Sequence, residues 1–220
     1  MFEIKNVNFI NLIVYPNIEI AEGKTIFIIG ESGTGKSTLL KLLNGMMSVS
    51  SGEIFYQGKN IETIDPIELR REVLLAGQNS YLFDETIEEN FDRFYKYRDL
   101  QLLSNDKKKE YLATACVPFD LDAGCSTLSG GEKQRVFIAI CLSFNPKVLL
   151  LDEPTSALDD ATAHSVIKSI KEYCKNNKIT LIVVSHSKEI IESYADEVVE
   201  LKRKDKVDVD NELLDNAVES

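Results

Sequence analysis

A glycine-rich segment of eight residues, Gly30 to Ser37, constrains the fold of this chain more than any other feature. Its sequence fits the pattern GxxxxGK[ST] and lies between an apolar run, Thr25 to Ile29, and a helical stretch from Lys36 to about Met46. A strand, a glycine loop and a helix in this order form the context in which such a loop wraps around phosphate groups. The segment therefore predicts a nucleotide-phosphate site within an α/β domain.

The residue types of this loop suit phosphate chemistry. Glycine lets backbone N–H groups converge on phosphate oxygens, whereas a Cβ atom would block their approach. The following helix adds a partial positive charge at its N-terminus. Lys36 supplies a full charge that can reach the β and γ phosphates, and Ser37 is placed to ligate Mg²⁺. The loop alone does not separate kinases, GTPases and motor ATPases.

Strand-like and helix-like segments alternate along most of the chain, which favours an α/β fold with a parallel core sheet. Residues from Ala163 to Cys174 carry apolar side chains at helical spacing between two continuous apolar runs of the buried-strand type. The segment from about Gln78 to Phe144 reads as a helical insertion in that core. The predicted strands are Glu3–Phe9, Leu12–Ile20, Thr25–Ile29, Glu53–Gln57, Lys147–Leu151 and Ile179–Val184.

Two acidic residues, Asp152 and Glu153, follow the apolar run that ends at Leu151. Acids at the carboxyl end of a strand lie where open α/β sheets bind their ligands. Asp152 can orient Mg²⁺ through water. Glu153 can hold an attacking water as general base, a role commonly worth roughly 10²–10⁴-fold in rate.

A second glycine-flanked helix start lies in the segment Leu128 to Arg135, whose sequence is LSGGEKQR. Ser129 is a good helix N-cap, and the two following glycines leave backbone N–H groups bare at the helix start. This arrangement predicts a second anion site. One triphosphate does not need two such sites from the same chain, but a second copy facing the first would use both.

These motifs together resemble the ATP-binding cassette (ABC) ATPase family. The phosphate loop, LSGGEKQR, LLLDEPTSALD (Leu149 to Asp159) and a histidine after an apolar run occur in the family's order. The resemblance spans residues 1–204 as a single ABC ATPase domain and implies a P-loop NTPase fold. That fold would have a RecA-like core (about 1–77 and 145–204), an N-terminal antiparallel β subdomain and an inserted α-helical subdomain (about 78–144). Residues 205–220 would form an acidic C-terminal tail.

The resemblance also implies ATP and Mg²⁺ as cofactors and a head-to-tail homodimer with two ATP molecules between the subunits. The implied catalytic residues are Glu153, His186, Lys36 and Gln78. The implied Mg²⁺ contacts are Ser37, Gln78 and Asp152. One subunit would bind ATP through Gly30, Glu31, Ser32, Gly33, Thr34, Gly35, Lys36, Ser37 and Thr38. The second subunit would contribute Ser129, Gly130, Gly131, Glu132 and Asp159.

The position where this family usually stacks an aromatic ring on adenine holds Asn11 here. It lies two residues beyond the apolar position occupied by Phe9. Tyr15 is the alternative candidate for the stacking contact. The departure concerns how the base is held and leaves triphosphate binding unaffected.

The expected partner is a separate integral membrane permease. Tyr81 to Ile87 resembles the surface that receives a transporter's coupling helix, although Leu82 and Phe83 could instead belong to the core. The longest apolar run, Val136 to Leu142, is much shorter than the ~18 residues that span a bilayer. The N-terminus has no secretory signal, so we expect a cytoplasmic subunit, peripheral on the inner face of the cell membrane.

The charge and the cysteines exclude other classes. A net charge of −11 gives no general attraction to nucleic acid, and the last sixteen residues carry −5 of it. The run Lys107 to Lys109 reads as a solvated helix face. The four cysteines (Cys116, Cys125, Cys141 and Cys174) have no zinc-site spacing, so we expect buried or free thiols.

We therefore expect the ATP-hydrolysing subunit of an ABC transporter, with most similarity to short ATPases paired with small metal-export permeases. One alternative is a non-transport ABC ATPase. DNA-repair members have long coiled coils, whereas only 116 positions separate Lys36 from Asp152, and translation factors carry two cassettes. Another alternative is a regulatory nucleotide-binding module, which would have no need of a base such as Glu153.

Overall fold

The computed structural model describes residues 1–10, 13–78 and 81–202. The α-helices of these residues are α1 (Lys36–Leu43), α2 (Pro66–Glu72), α3 (Ile87–Tyr97), α4 (Asn105–Thr114), α5 (Gly130–Ser143), α6 (Asp160–Asn176) and α7 (Lys188–Tyr194). The strands are β1 (Phe2–Phe9), β2 (Ile13–Val14), β3 (Ile18–Ile20), β4 (Thr25–Gly30), β5 (Ser51–Tyr56), β6 (Lys59–Asn60), β7 (Val73–Ala76), β8 (Val148–Asp152), β9 (Thr180–Val184) and β10 (Glu197–Leu201).

A five-stranded parallel sheet in the order β10-β4-β9-β8-β7 forms the centre of the fold. Its central strands are almost wholly apolar because both faces of the sheet are covered. Alternate residues point to opposite faces, so Leu149 and Leu151 of β8 pack into one hydrophobic cluster and Val148 and Leu150 into another. The first cluster includes α5 and α6 side chains, and the second includes those of α1.

An antiparallel sheet lies over α1. Its order is β2-β1-β5-β6, with β3 also paired to β1. The inward side chains Phe2, Ile4 and Ile54 share a cluster with Leu39 and Leu43 of α1. The α/β fold with an N-terminal antiparallel sheet and an inserted helical region, which contains α3, α4 and α5, is therefore confirmed.

The predicted strand Leu12–Ile20 is wrong as one continuous element. The described part forms two short strands, β2 and β3, separated by Tyr15 to Asn17. Pro16 lies in this break, and proline lacks the N–H group that a ladder requires. Asn11 and Leu12 lie outside the described residues.

Two strands of the parallel sheet, β7 and β10, were not predicted. Strand β7 is only four residues long, so it has no clear period. Strand β10 lies at the edge of the sheet beside β4, where Val198 is exposed and Leu201 is buried. The acidic tail at 205–220 lies outside the described residues.

The prediction of a fully solvated Lys107 to Lys109 face is wrong for Lys108. Its side chain is 2% exposed, and its Nζ lies 2.6 Å from Oδ1 of Asp92 and 3.6 Å from Oε1 of Glu88. Lys107 and Lys109 are exposed. Because α4 packs against α3, the middle lysine meets the acidic face of α3 rather than water.

Candidate functional site

The glycine loop follows β4 directly and closes tightly on its surroundings. At Gly30 an added Cβ atom would lie 2.3 Å from the Leu201 carbonyl oxygen of β10. Gly35 has φ +90°, and a Cβ there would lie 2.7 Å from Oη of Tyr15. Gly30 also has a positive φ, +146°, so both positions require glycine for close approach and for backbone conformation.

Lys36 begins α1 and is buried under the loop. Its ammonium group donates hydrogen bonds to the carbonyl oxygens of Gly30 and Glu31, both at 2.9 Å. The hydroxyl of Thr34 donates to the Glu31 carbonyl as well, also at 2.9 Å. A full positive charge is thus held within the concave side of the loop, where it can attract an anion.

Ser37 and Asp152 come together from positions 115 residues apart in the chain. The Ser37 hydroxyl donates to Oδ1 of Asp152 at 3.0 Å. Burial raises the pKa of the Asp152 carboxyl, and the nearby charge of Glu153 raises it further, while the hydrogen bond from Ser37 opposes both effects. Their contact follows from the sheet order, which brings the carboxyl ends of β4 and β8 to the same edge.

Glu153 turns the chain sharply after β8. Its φ of +50° is unusual for a residue with a side chain, and its N–H group donates to the Val184 carbonyl at 3.1 Å. Its Oε1 lies 3.2 Å from Nε2 of His186, which follows the end of β9. The strained turn therefore places a carboxylate and an imidazole side by side at the strand ends.

These groups line one cavity of about 300 Å³. Lys36 and Ser37 line it from the loop, Glu153 and His186 from the strand ends, and Ile13 from β2. The cavity combines N–H donors, a lysine charge, a hydroxyl and a carboxylate. This set suits a polyphosphate and the proton transfer of a hydrolytic reaction.

The start of α5 forms a separate polar site. Ser129 is its N-cap, with the Ser129 N–H donating to Oε2 of Glu132 at 2.7 Å and the Glu132 N–H donating to Oγ of Ser129 at 3.4 Å. Gly130 and Gly131 occupy the first two helical positions, whose N–H groups have no partner within the helix. Residues Ser129 to Glu132 are not among the described residues that line the cavity.

Oxygen atoms at the cavity fit a magnesium ion. Mg²⁺ prefers oxygen ligands and usually takes one or two from protein, with the remainder from phosphate and water. The Ser37 hydroxyl and the Asp152 carboxylate supply such a pair. Within the described part of the chain, no group of three or more His, Cys, Asp or Glu side chains could hold a metal by itself.

Known proteins match this chain along most of its length. The model of the ABC transporter family matches residues 15–156. The chain is 34% identical over 209 residues to the "Probable iron export ATP-binding protein FetA" of Escherichia coli (strain K12), covering 92% of this chain and 91% of the relative. The chain belongs to the ABC transporter family. It is an ATP-binding ATPase of that family.

Other relatives of this ABC ATPase include an import protein and a cassette of solved structure. The "Methionine import ATP-binding protein MetN" of Clostridium tetani is 38% identical over 210 residues, which cover 90% of this chain but only 65% of that longer relative. A solved dimeric structure of the ATP-binding cassette MJ0796, in a post-hydrolysis state bound to ADP and Pi, has a TM-score of 0.80 and 26% identity. It covers 93% of this chain and 97% of the other.

The structure of this ABC ATPase brings eight of the sequence-predicted site residues into the lining of one cavity: Ser32, Gly33, Gly35, Lys36, Ser37, Thr38, Glu153 and His186. Asp152 joins them through its hydrogen bond with Ser37. Gln78 is exposed beyond the end of β7 and is not among the described residues that line the cavity. Asp159 is the N-cap of α6, where its Oδ1 accepts the Thr162 N–H at 3.0 Å. The catalytic, metal and second-subunit roles of all these residues remain predictions.

Tyr15 does not serve the adenine-stacking role that the sequence left open for it. Its side chain is only 2% exposed and packs in the same cluster as Phe2 and Ile4. Its hydroxyl donates to the Gly35 carbonyl at 2.9 Å, and burial raises its pKa above the ordinary tyrosine range. Tyr15 therefore supports the phosphate loop from behind. Asn11 lies outside the described residues.

Two residues at or near the site were missed. Ile13 supplies the hydrocarbon part of the cavity lining, and no pattern in the short β2 singled it out. Gln134 belongs to the LSGGEKQR motif, which by itself indicates no role for this side chain. Its burial on the inner face of α5 follows from helical spacing, although its contacts depend on the tertiary fold.

An aromatic cluster lies on the surface after Gln78. Tyr81 is 68% exposed and meets Phe83 edge to face, and Phe83 also contacts the rings of Phe94 and Tyr97. Leu82 is buried in the core instead. Leu82 therefore belongs to the core, whereas Phe83 belongs to the surface cluster.

Proposed function

We propose that this chain is the ATP-hydrolysing subunit of a membrane transporter and works as a head-to-tail dimer. The observation that supports this most is the cavity shared by Lys36, Ser37, Glu153 and His186 beside Asp152. It holds the groups needed to bind a triphosphate and to accept a proton from water. Each subunit carries one such cavity and one α5 start, so two copies are needed to complete two sites.

Hydrolysis at this cavity would proceed by attack of water on the γ-phosphorus. The loop N–H groups and Lys36 bind the β and γ phosphates. Mg²⁺, held by Ser37, Asp152 and water, with Gln78 as an additional contact, would neutralise negative charge on the phosphates. Glu153 accepts the proton of the water as its oxygen bonds to phosphorus and the bond to ADP breaks. His186, 3.2 Å from the Glu153 carboxylate, would orient that base and contact the γ-phosphate.

The second subunit would close each site through the start of α5. Ser129, Gly130, Gly131 and Glu132 would meet the ATP bound to the loop of the other copy, with Asp159 nearby. An added Cβ at Gly131 would lie 3.5 Å from Cβ of Ala157, so the α5 start adjoins the segment that leads to Asp159. The dimeric form of the solved relative bound to ADP and Pi supports this arrangement.

A separate permease would carry the cargo. No helix within the described residues is long and apolar enough to cross a bilayer. The aromatic cluster of Tyr81, Phe83, Phe94 and Tyr97 would receive a cytoplasmic element of that permease, which would hold the ATPase at the inner face of the membrane. The acidic net charge of −11 opposes nucleic acid as a partner.

We propose a metal ion as the cargo class, moved outwards. The Escherichia coli relative is named as a probable iron export protein, and the alignment covers nearly all of both chains. The methionine-import relative is longer, and this chain spans 65% of it. Cells lacking the gene should accumulate the exported metal, measured by mass spectrometry of total cell metals. Unchanged metal content would contradict this cargo.

The dimer and the catalytic base are tested together by Glu153→Gln and Lys36→Ala. We expect Glu153→Gln to lose hydrolysis by roughly 10²-fold or more and to form a stable dimer with ATP, measured by light scattering. Lys36→Ala should remain monomeric because it cannot hold the phosphates. The matched control is Glu192→Gln, the same change at an exposed glutamate of α7, which should behave as the parent. ATP-independent monomers for both site variants would refute the model.

A further inference from the structure

The side chain of Gln134 bridges the ends of two parallel strands. Gln134 is buried on α5, and its Nε2 donates to the Asp152 carbonyl at 3.1 Å and to the Gly77 carbonyl at 3.3 Å. Asp152 is the last residue of β8, and Gly77 follows the last residue of β7. One amide group therefore joins a helix to the carboxyl ends of both neighbouring strands.

The two carbonyls immediately precede the residues proposed to act on ATP. Asp152 leads into Glu153, and Gly77 leads into Gln78. The main chain at Glu153 has a left-handed conformation, which persists only where the surroundings hold it. A buried hydrogen bond to the preceding carbonyl is one such restraint. Gln134 is not among the described residues that line the cavity, so it would act on the site only through the main chain.

We propose that Gln134 is a positioning residue for ATP hydrolysis. Its amide holds the main chain before Glu153 and before Gln78 at a set distance from α5. A carboxylate displaced by about 1 Å from its productive geometry can lose roughly 10²-fold in rate, whereas the phosphate loop keeps its own contacts. Loss of the amide therefore lowers turnover and leaves ATP affinity nearly unchanged.

The inference rests on the proposed roles of Glu153 and Gln78, and the test uses Gln134→Met. Methionine matches the length of glutamine but cannot donate a hydrogen bond. We expect kcat to fall by about tenfold or more while the KM for ATP changes less than about threefold. Gln134→Asn keeps the amide but shortens its reach by one methylene, so it should also lose turnover.

The matched control is Tyr95→Phe. The Tyr95 hydroxyl donates to the Ser143 carbonyl at 2.9 Å, so this variant also removes one buried side-chain bond to a carbonyl of α5. Because it acts at the far end of that helix, it should keep the parent kcat while losing the stability of one buried hydrogen bond, against two in Gln134→Met. Thermal unfolding of every variant measures the stability loss.

Three results would overturn the inference: a kcat of Gln134→Met and Gln134→Asn within twofold of the parent, an equal kcat loss in Tyr95→Phe, or a rise in KM without a change in kcat. Glu153→Gln in the same assay separates this failure from a failure of the proposed function. If Glu153→Gln is inactive and the Gln134 variants are normal, only the positioning role is wrong. If Glu153→Gln hydrolyses ATP normally, the proposed function is wrong.

Discussion

Tyr15 offers the sharpest test of how the phosphate loop is held. The buried hydroxyl donates to the Gly35 carbonyl at 2.9 Å, immediately before α1 begins. Tyr15→Phe removes that hydrogen bond and keeps the ring in its cluster. Tyr15→Leu removes the ring as well. The two variants separate support of the loop from contact with the base.

The structure sets the size of each effect. The Gly35 carbonyl also accepts the Leu39 N–H at 2.8 Å, so the Phe variant leaves it with one partner. The cost is therefore that of an ordinary hydrogen bond, about 1 kcal/mol, which lowers the Tm of a chain of this size by roughly 2–4 °C. If the loop loses the same free energy of preorganisation, ATP binding weakens at most about fivefold. The Leu variant costs about 2–4 kcal/mol because it removes buried ring volume.

The assay compares ATP, GTP and inorganic tripolyphosphate by calorimetry, alongside thermal unfolding. We expect each Tyr15 variant to weaken all three ligands by the same factor, since Tyr15 supports the loop and does not touch the base. The opposite pattern would refute the reasoning. It consists of an unaltered Tm and unaltered ATP affinity in Tyr15→Phe, with a loss in Tyr15→Leu that is confined to ATP.

Two further predictions concern groups that the fold buries. Lys108→Met leaves the Asp92 carboxylate without its close partner, so it should lower the free energy of unfolding by roughly 3 kcal/mol in urea titrations. Lys107→Met, at the exposed neighbouring position, should leave that free energy unchanged. Equal effects of the two variants would contradict the buried ion pair. Burial raises the pKa of Cys141 to about 12, so iodoacetamide at pH 8 should modify the half-buried Cys116 first and leave Cys141 intact until the chain unfolds, as read by mass spectrometry. The pKa of an unburied cysteine thiol is 9.0, so burial of protonated Cys141 should stabilise the fold fully below pH 9, and this stabilisation should be lost as the pH rises from 9 to about 12. Alkylation of both thiols at one rate would be evidence against that burial.

Local features of the site were predictable because they depend on neighbours in the chain. A glycine loop after an apolar strand marks the phosphate loop, and α1 begins at Lys36 as predicted. Ser129 caps α5 at the predicted position, with the glycines in its first turn. The acids Asp152 and Glu153 lie at the end of β8 because an apolar strand ends there. Backbone conformation and capping chemistry over a few residues suffice for each of these.

The fate of individual side chains depended on packing between distant segments. Tyr15 reads from the sequence as a candidate for the base, yet the antiparallel sheet buries it beneath Gly35. Lys108 reads as a surface lysine, yet α3 brings Asp92 against it. Gln134 reads as part of a motif, and only the meeting of α5 with the strand ends shows what its amide holds.

The sequence by itself determined the family motifs, the α/β class and the chemical groups available for ATP hydrolysis. Tertiary structure alone decided which of those groups meet. Ser37 and Asp152 are 115 residues apart and still hydrogen-bonded, because the order β4-β9-β8-β7 places the carboxyl ends of parallel strands at one edge. Burial of both sheet faces between two hydrophobic clusters stabilises this arrangement, and that burial is a property of the whole chain that no short segment contains.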